Sequence, residues 1–409
     1  MKSSFATVTH IAQRFNSSAY EITPNLPSLQ VGFLSLGGLG GSGKVATEVA
    51  KGLAVAGAKV FVLTSPEPQW GADRDPLLHY VPVKAPRTPT APDPSWILPL
   101  AGEIIAQVEA HKIKVLNVHY AVGLVEAALL ARQELAARNQ NLSVCLTLHG
   151  SDVTGFGRDV NYGVQLRECI AKCDRVTAVS YWLADRAVEI LRLQKRPTVI
   201  HNSVDVEVFR PFRMEVAPRS KCLNLCHVSN FRSVKRPLDA IEVLARVRGA
   251  GVNAQLFMVG DGPLAARVRE YALELNVANE VVFLGAASPN QLVHWLGVSD
   301  ILLVTSESES FCLAALEAMA CGVPVVGTYC GGLEEVIAEL GTDLPEKVLS
   351  EIGDTATMAS KIVQMFNHPL TYKMIRDRLL SMIQFRFSRS TQLQTYGYLL
   401  SELQREVGE

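Results

Sequence analysis

The chain has 409 residues, of which 48% are hydrophobic and 19% charged, and its formal net charge is −1. This composition is typical of a folded globular enzyme and excludes a disordered chain. The length exceeds what one hydrophobic core usually serves, so two domains are expected. Because no global basic field exists, we expect no nucleic-acid partner, and any bound anion must be held by local groups.

Two features bear on the cellular compartment. Residues 1–29 form a polar N-terminal extension without the continuous apolar segment of a signal peptide, and no apolar run has the roughly 18 residues of a transmembrane helix. The eight cysteines show no metal-type Cys-x-x-Cys pair. We therefore expect free thiols, no transmembrane segment and a cytoplasmic location.

Strands alternate with helices through the N-terminal domain, which is predicted to cover residues 30–210. The first strand is followed by a helix over 45–56, and the proline-rich stretch 73–99 is predicted to be a loop. The predicted strands are 30–36, 60–64, 115–118, 144–148, 175–179 and 198–200. Such alternation favours a parallel sheet.

A second alternating series follows a proline-containing, charged linker over 211–221 and is predicted to form a C-terminal domain over 222–387. Its strands are predicted at 223–228, 255–259, 281–284 and 301–304, and its helices at 238–248, 264–275, 291–296 and 313–320. A last helix over 388–409 has no strand after it. The simplest α/β architecture is two doubly wound domains facing a cleft, where ligands bind at the carboxyl ends of the strands.

The glycine-rich loop after the first strand admits three interpretations. Gly38, Gly40 and Gly43 fit a dinucleotide fingerprint, and Glu67 could then hold a ribose. A nucleotide-triphosphatase P-loop is disfavoured, since valine at position 45 cannot ligate magnesium. A purely structural turn also remains open. What the alternatives with a ligand share is a helix N-terminus that offers backbone N–H groups to an anion.

A more specific pattern follows the strand at 301–304. A polar loop leads into the helix over 313–320, whose first N–H groups are free for an anion. Glu309 lies just before this helix and Glu317 lies within it. Eight helical residues advance about 12 Å, so the two carboxylates are expected to accept hydrogen bonds from different parts of one extended ligand.

Glu309-x7-Glu317, followed by Gly331-Gly332 and Glu335, resembles the retaining glycosyltransferases of family 4, which have the GT-B fold of two facing Rossmann-like domains. Related motifs occur along nearly the whole chain. They are GGSGKVATE (40–48), NVHYA (117–121), TLHGSD (147–152), TAVS (177–180), HNSVDVEVF (201–209), SNFRSVKRP (229–237), VGDGP (259–263) and EAMACGVPVVGT (317–328). The resemblance also implies that the last helix crosses back to the N-terminal domain.

The resemblance implies transfer of a sugar from a nucleotide-sugar donor to a small-molecule acceptor without a metal or other cofactor. Several motifs are most similar to members that transfer N-acetylglucosamine from UDP-GlcNAc to L-malate in bacillithiol biosynthesis. Another metabolite, natural-product or lipid acceptor remains an alternative, as does an inactive sugar-nucleotide sensor. A homo-oligomer is compatible with the sequence, and the Asp73-Arg-Asp75 segment is not expected to bind a metal.

The family motifs also imply roles for individual residues. The implied catalytic residues are Glu309, His149, Lys235 and Arg232. The implied donor-binding residues are Gly41, Ser42, Asn230, Arg232, Lys235, Gly260, Glu309, Phe311, Cys312, Leu313 and Glu317. The implied acceptor-binding residues are Ser42, Trp96, His119, Tyr120, Thr147, His149 and Asn202.

This sequence departs from the family pattern at several positions. Cys312 stands where glycine is usual, and a cysteine there is strained if the backbone requires a positive φ. Glu334 replaces a usual proline, and residues 339–353 lack the usual glycine–aromatic turn. Trp96 falls roughly where the malate-specific members carry tyrosine, which leaves the identity of the acceptor open.

Overall fold

Two parallel sheets, one in each half of the chain, form the framework of this computed structural model. It describes residues 26–36, 41–64, 77–84, 91–211 and 222–408. The predicted glycine loop over 37–40, Glu67, the Asp73-Arg-Asp75 segment and most of the predicted linker lie outside these ranges. Within them, no helix is both long and apolar enough to cross a membrane.

The N-terminal sheet has seven strands in the order β3-β2-β1-β4-β5-β6-β7, all parallel. They are β1 (Gln30–Ser35), β2 (Lys59–Thr64), β3 (His79–Pro82), β4 (Val115–His119), β5 (Ser143–Leu148), β6 (Arg175–Ala178) and β7 (Thr198–Val199). The associated helices are α1 (Gly41–Val55), α2 (Pro94–His111), α3 (Leu124–Ala137), α4 (Ser151–Thr154), α5 (Tyr162–Ala171) and α6 (Tyr181–Leu191). Its central strands are buried along their length, as expected when helices cover both faces.

The prediction of a loop over 73–99 is wrong for part of that stretch. Residues 79–82 pair with β2 as an edge strand. Pro82, which has no backbone N–H, is tolerated there because an edge strand has a hydrogen-bonding neighbour on only one side. Helix α2 begins at Pro94, and the Asp93 carboxylate caps it by accepting the Ser95 N–H at 2.7 Å. Proline at the first position of a helix favours helix initiation, so the many prolines between residues 73 and 99 do not by themselves indicate a loop.

The C-terminal sheet has six parallel strands in the order β10-β9-β8-β11-β12-β13. They are β8 (Leu223–Val228), β9 (Ala254–Val259), β10 (Val281–Gly285), β11 (Ile301–Val304), β12 (Val325–Thr328) and β13 (Leu349–Ser350). The helices are α7 (Pro237–Gly249), α8 (Ala265–Glu274), α9 (Pro289–Val298), α10 (Leu313–Ala320), α11 (Gly332–Leu340), α12 (Leu344–Val348), α13 (Thr355–Asn367) and α14 (Pro369–Arg386). Strand order reverses between β8 and β11, and between β1 and β4, which are the switch points where ligands bind in such folds.

The last helix, α15 (Arg389–Gly408), leaves the C-terminal domain and packs against α1, β4 and β5. Tyr396, Leu400 and Leu403 of α15 are completely buried in the same apolar cluster as Val31 and Phe33 of β1. The crossing implied by the sequence is therefore confirmed. The N-terminal core includes residues from the opposite end of the chain.

Because α1 packs against α15, replacing glycine by alanine should change the free energy of unfolding in opposite directions at Gly52 and at Gly102. A Cβ at Gly52 would lie 2.4 Å from Leu393 Cδ1, whereas a Cβ at Gly102 of α2 would meet nothing within 4 Å. We expect Gly52→Ala to lower the free energy of unfolding by about 1–3 kcal/mol through overpacking. Gly102→Ala, the matched control, should raise it by about 0.5–1 kcal/mol. Urea denaturation measures both, and a stabilised Gly52→Ala would contradict the packing described.

Candidate active site

The carboxyl ends of the two sheets face each other across a cleft. His119 ends β4 and His149 follows β5 in the N-terminal domain, while Ser310 precedes α10 in the C-terminal domain. The Ser310 hydroxyl donates a hydrogen bond to the backbone oxygen of His149 at 2.5 Å. The predicted acceptor-side histidines are thus brought next to the helix that carries the predicted donor-side glutamates.

The Glu309 carboxylate is held from several directions within the C-terminal domain. Lys235 Nζ donates to both of its oxygens at 2.7 Å, and the Ser306 hydroxyl donates to one of them at 2.7 Å. Burial alone would lower the pKa of Lys235, but the charge and hydrogen bond of Glu309, together with the neighbouring Cys312 and Cys330, outweigh it and the net shift is upward. The cleft therefore contains a fixed carboxylate and a lysine that stays charged at neutral pH.

The Glu317 carboxylate forms an ion pair across the cleft with Lys44 of α1. The side chain of Glu317 is only 7% exposed, and burial raises its pKa while the charge of Lys44 opposes that rise. The Lys44 ammonium also lies over the Phe209 ring, 5.6 Å from its centre. Lys44 was not predicted as a site residue, because position 44 was considered only as a P-loop lysine.

Arg232 and Asn230 lie in the exposed loop after β8, which Gly260 allows to pack tightly. Gly260 has φ of 122°, and a Cβ there would lie 1.8 Å from the Ser229 carbonyl oxygen. Across the cleft, burial raises the pKa of Tyr120 above its usual value, and the Arg232 charge opposes this rise. Arg232 of the C-terminal domain thus acts electrostatically on a predicted acceptor-side residue.

The two predicted histidines contact each other directly. His119 Nδ1 and His149 Nε2 are 3.0 Å apart, and His119 Nε2 is 3.1 Å from Asn117 Nδ2. Burial lowers the pKa of His149 to about 3. Burial and the neighbouring His149 lower the pKa of His119 well below its usual value. Both imidazoles are therefore neutral near pH 7, so neither supplies an imidazolium acid.

The remaining acceptor-side predictions have different outcomes. Tyr120 hydrogen-bonds the Ser151 hydroxyl at 3.1 Å, and Trp96 packs beside Gly123 in the loop after β4. Asn202 is 5% exposed and its Oδ1 has no hydrogen-bond partner in the described part of the chain. Gly41 and Ser42 begin α1 beside the cleft lysine.

Thr147 requires a correction. Its side chain is completely buried, and its hydroxyl is engaged with Asn117, Thr177 and Tyr396. The residue therefore lies behind the histidines and offers no direct contact to an acceptor. The motif predicted its importance, but the alternation of side chains along β5 turns it inward.

Glu335 forms a further contact between the domains. Its carboxylate accepts the backbone N–H groups of Tyr181 and Trp182 at 2.9 and 2.7 Å, at the start of α6, and contacts His201 Nε2 at 2.8 Å. Such capping favours a negative charge at a helix N-terminus. The family motif includes Glu335, but its sequence position does not show that it caps a helix of the other domain.

Cys312 is the N-cap of α10 and has φ of 74°, so the strain anticipated at this position is confirmed. Burial, followed by the charge of Glu309, raises the pKa of the Cys312 thiol, and the charge of Lys235 opposes this rise. Phe311 is also buried, and its ring lies 5.7 Å from that of His201 between ring centres, with the two planes tilted by 33°. Leu313 begins the helix, whose N-terminus faces the cleft.

Strain at Cys312 predicts an unusual order of stability among variants. Glycine and alanine both remove the thiol, but only glycine relieves the left-handed conformation, which costs about 1–2 kcal/mol for other residues. We expect Cys312→Gly to be more stable than Cys312→Ala by about that amount in urea denaturation. At Ala315, in the same helix, glycine should instead destabilise. Equal stability of the two Cys312 variants would show that the site is unstrained.

Comparisons with known proteins agree with this geometry. The model for glycosyl transferases group 1 matches residues 212–378, and that for glycosyltransferase family 4 matches residues 39–208. N-acetyl-alpha-D-glucosaminyl L-malate synthase from Bacillus anthracis is 31% identical over 385 residues, which cover 92% of this chain and 98% of that protein.

Solved structures share the fold at low sequence identity. Sucrose-phosphate synthase from Thermosynechococcus elongatus has a TM-score of 0.74 at 17% identity, covering 92% of this chain and 100% of that one. Anabaena HepE in complex with UDP has a TM-score of 0.72 at 17% identity, covering 91% and 100%. Together with the full-length relative, these matches confirm two facing Rossmann-like domains of the GT-B type. The chain belongs to the glycosyltransferases of family 4.

Proposed function

We propose that this glycosyltransferase transfers N-acetylglucosamine from UDP-GlcNAc to the hydroxyl of L-malate or a similar small hydroxy acid. The observation that carries the proposal is the match to N-acetyl-alpha-D-glucosaminyl L-malate synthase over 92% of this chain and 98% of that protein. A match that covers most of both domains supports a shared donor and acceptor. At 31% identity, the acceptor needs a direct test.

The arrangement of charges in the C-terminal domain supports an extended anionic donor. In the proposal, Glu309 accepts hydrogen bonds from the transferred sugar and Glu317 accepts those of the ribose. Lys235 and Arg232 neutralise the diphosphate as the bond to the anomeric carbon breaks, and the N-terminus of α10 contributes its partial positive charge. All of these groups lie along one side of the cleft.

The acceptor side supports chemistry without a protein base. Burial lowers the pKa of His119 and His149, so both imidazoles are weak bases, and in this proposal the departing phosphate takes the acceptor's proton instead. In this proposal the acceptor hydroxyl attacks the anomeric carbon from the face that the phosphate leaves, so configuration is retained. No metal is assigned a role, because Lys235 and Arg232 supply the positive charge.

The free thiols support a reducing location for this reaction. All eight cysteines are unpaired, and five of them are fully buried. Structural disulfides are typical of secreted proteins of oxidising compartments. We therefore retain the cytoplasmic location as part of the proposal.

An acceptor panel tests the proposal. Purified protein with UDP-GlcNAc should convert L-malate to a glycoside detected by mass, with release of one UDP for each product. Lys235→Met should lower kcat by about 10²–10³-fold, as loss of a charge-stabilising donor does elsewhere. Arg269→Met, which removes a cation that stacks on Phe283, is the matched control and should keep full activity.

Each other result of the panel has a defined meaning. Reaction with other hydroxy acids, sugars or lipids, but not with L-malate, would refute the malate assignment and retain the transferase. Tight binding of UDP-GlcNAc without turnover of any acceptor would favour the sensor. Binding of NAD in place of a sugar nucleotide would refute the donor assignment itself.

A further inference from the structure

A chain of buried polar side chains runs beneath the cleft from helix α15 to His149. Five of its side chains are completely buried, and each of them has a polar atom within hydrogen-bond distance of another member of the chain. They are Tyr396, Thr177, Thr147, Asn117 and His119. Buried polar groups are costly unless they are hydrogen-bonded, so the order of donors and acceptors along this chain is constrained.

The inner end of the chain sets its direction. The Thr177 hydroxyl donates to Thr147 Oγ1 at 2.9 Å, the Leu146 backbone oxygen being farther from it at 3.4 Å, and the Tyr396 hydroxyl lies 3.3 Å from Thr147 Oγ1. A threonine hydroxyl has one proton, and Thr147 donates it to Asn117 Oδ1 at 3.4 Å. The amide of Asn117 therefore presents its NH₂ group to His119.

The outer end follows from the single proton of each neutral imidazole. Asn117 Nδ2 can only donate, so His119 Nε2, 3.1 Å away, accepts. The proton of His119 is then on Nδ1 and is donated to His149 Nε2 at 3.0 Å. His149 in turn carries its own proton on Nδ1, for which the described residues provide no hydrogen-bond partner.

The position of His149 at the cleft allows this Nδ1–H group to donate to a ligand. The backbone oxygen of His149 accepts the Ser310 hydroxyl of the other domain, so the residue lies where the domains meet. Phe33 stacks on His119 at 5.5 Å between ring centres, and Tyr396 does so at 6.2 Å, which limits rotation of the ring. The pair of imidazoles is held rigidly, with one N–H group left for a ligand.

We propose that Asn117 is a positioning residue that fixes His149 in the Nδ1–H tautomer, so that His149 donates a hydrogen bond to an oxygen of the ligand in the cleft. The ligand oxygen belongs to the transferred sugar or to the hydroxy-acid acceptor, and this part rests on the proposed function. A protonated Nδ1 cannot accept the acceptor's proton. His149 therefore orients a substrate oxygen and does not act as the general base.

The tautomer can be measured on the intact protein. Histidine labelled with 15N and long-range 1H–15N correlation spectra distinguish protonated from unprotonated ring nitrogens, and His149→Asn assigns the His149 signals. We expect Nδ1 of His149 to be protonated in the wild-type protein. Protonation at Nε2, or a mixture of tautomers, would overturn the proposal, and this result does not depend on turnover.

Two buried substitutions of similar size then test the role of Asn117. Asn117→Leu removes the donor to His119, and His149 should become a mixture of tautomers. Thr355→Val removes a buried hydroxyl that contacts Arg246 and lies outside this chain, and His149 should keep Nδ1–H. An unchanged tautomer in Asn117→Leu, or the same loss in both variants, would overturn a specific role for Asn117.

Kinetics separate positioning from general damage. In Asn117→Leu, kcat should fall about five- to tenfold, the value of one hydrogen bond, while KM for UDP-GlcNAc stays within about twofold. Thr355→Val should keep kcat. A wild-type protein with the expected tautomer but no turnover of any acceptor would refute the proposed function and leave the tautomer assignment standing. The expected tautomer change without a change in kcat would refute the substrate contact.

Discussion

Both sheets direct the carboxyl ends of their parallel strands toward one cleft, and the positions of all the candidate site residues follow from this constraint. In a parallel sheet every strand ends on the same edge, so the loops that leave β4, β5, β8 and β11 converge without being close in sequence. Facing edges bring neutral histidines of one domain opposite a charged Glu309–Lys235 pair of the other. Contacts such as Ser310 with His149 connect the two sides.

Buried charge in this cleft is better explained by ligand binding than by stability. Removing Glu317 and Lys44 from water costs free energy that their attraction repays only in part, so such pairs are weak sources of stability. A ribose offers hydroxyl donors that could satisfy Glu317 in place of Lys44. The ion pair would then keep the carboxylate charged and oriented until the donor arrives. The histidines show the complementary case, because burial without a counter-charge leaves them neutral.

The sequence was sufficient for features that depend on local pattern. The strand–loop–helix around Glu309 and the alternating elements of both domains follow from spacing and helix caps. The similarity of motifs to the family additionally assigned Lys235 to the same site as Glu309. The prolines between 73 and 99 misled the prediction because they begin a helix and occupy an edge strand.

Contacts between distant segments could not be predicted from local pattern. Lys44 and Glu317 are 273 residues apart, and Thr147 and Tyr396 are 249 apart. No periodicity indicates which face of α15 lies beneath β5, so the burial of Thr147 and the role of Asn117 emerge only from packing. The capping of α6 by Glu335 likewise depends on how the two domains meet.

Glu309 and Glu317 are proposed to bind different parts of one nucleotide-sugar donor. Calorimetric titration of UDP and UDP-GlcNAc into the wild-type protein, Glu309→Gln and Glu317→Gln can separate the two roles. We predict that Glu317→Gln weakens both ligands by about tenfold, because both contain the ribose. Glu309→Gln should weaken UDP-GlcNAc but not UDP, which lacks the sugar. Equal weakening of UDP by both substitutions, or an effect of neither on UDP-GlcNAc, would contradict this account.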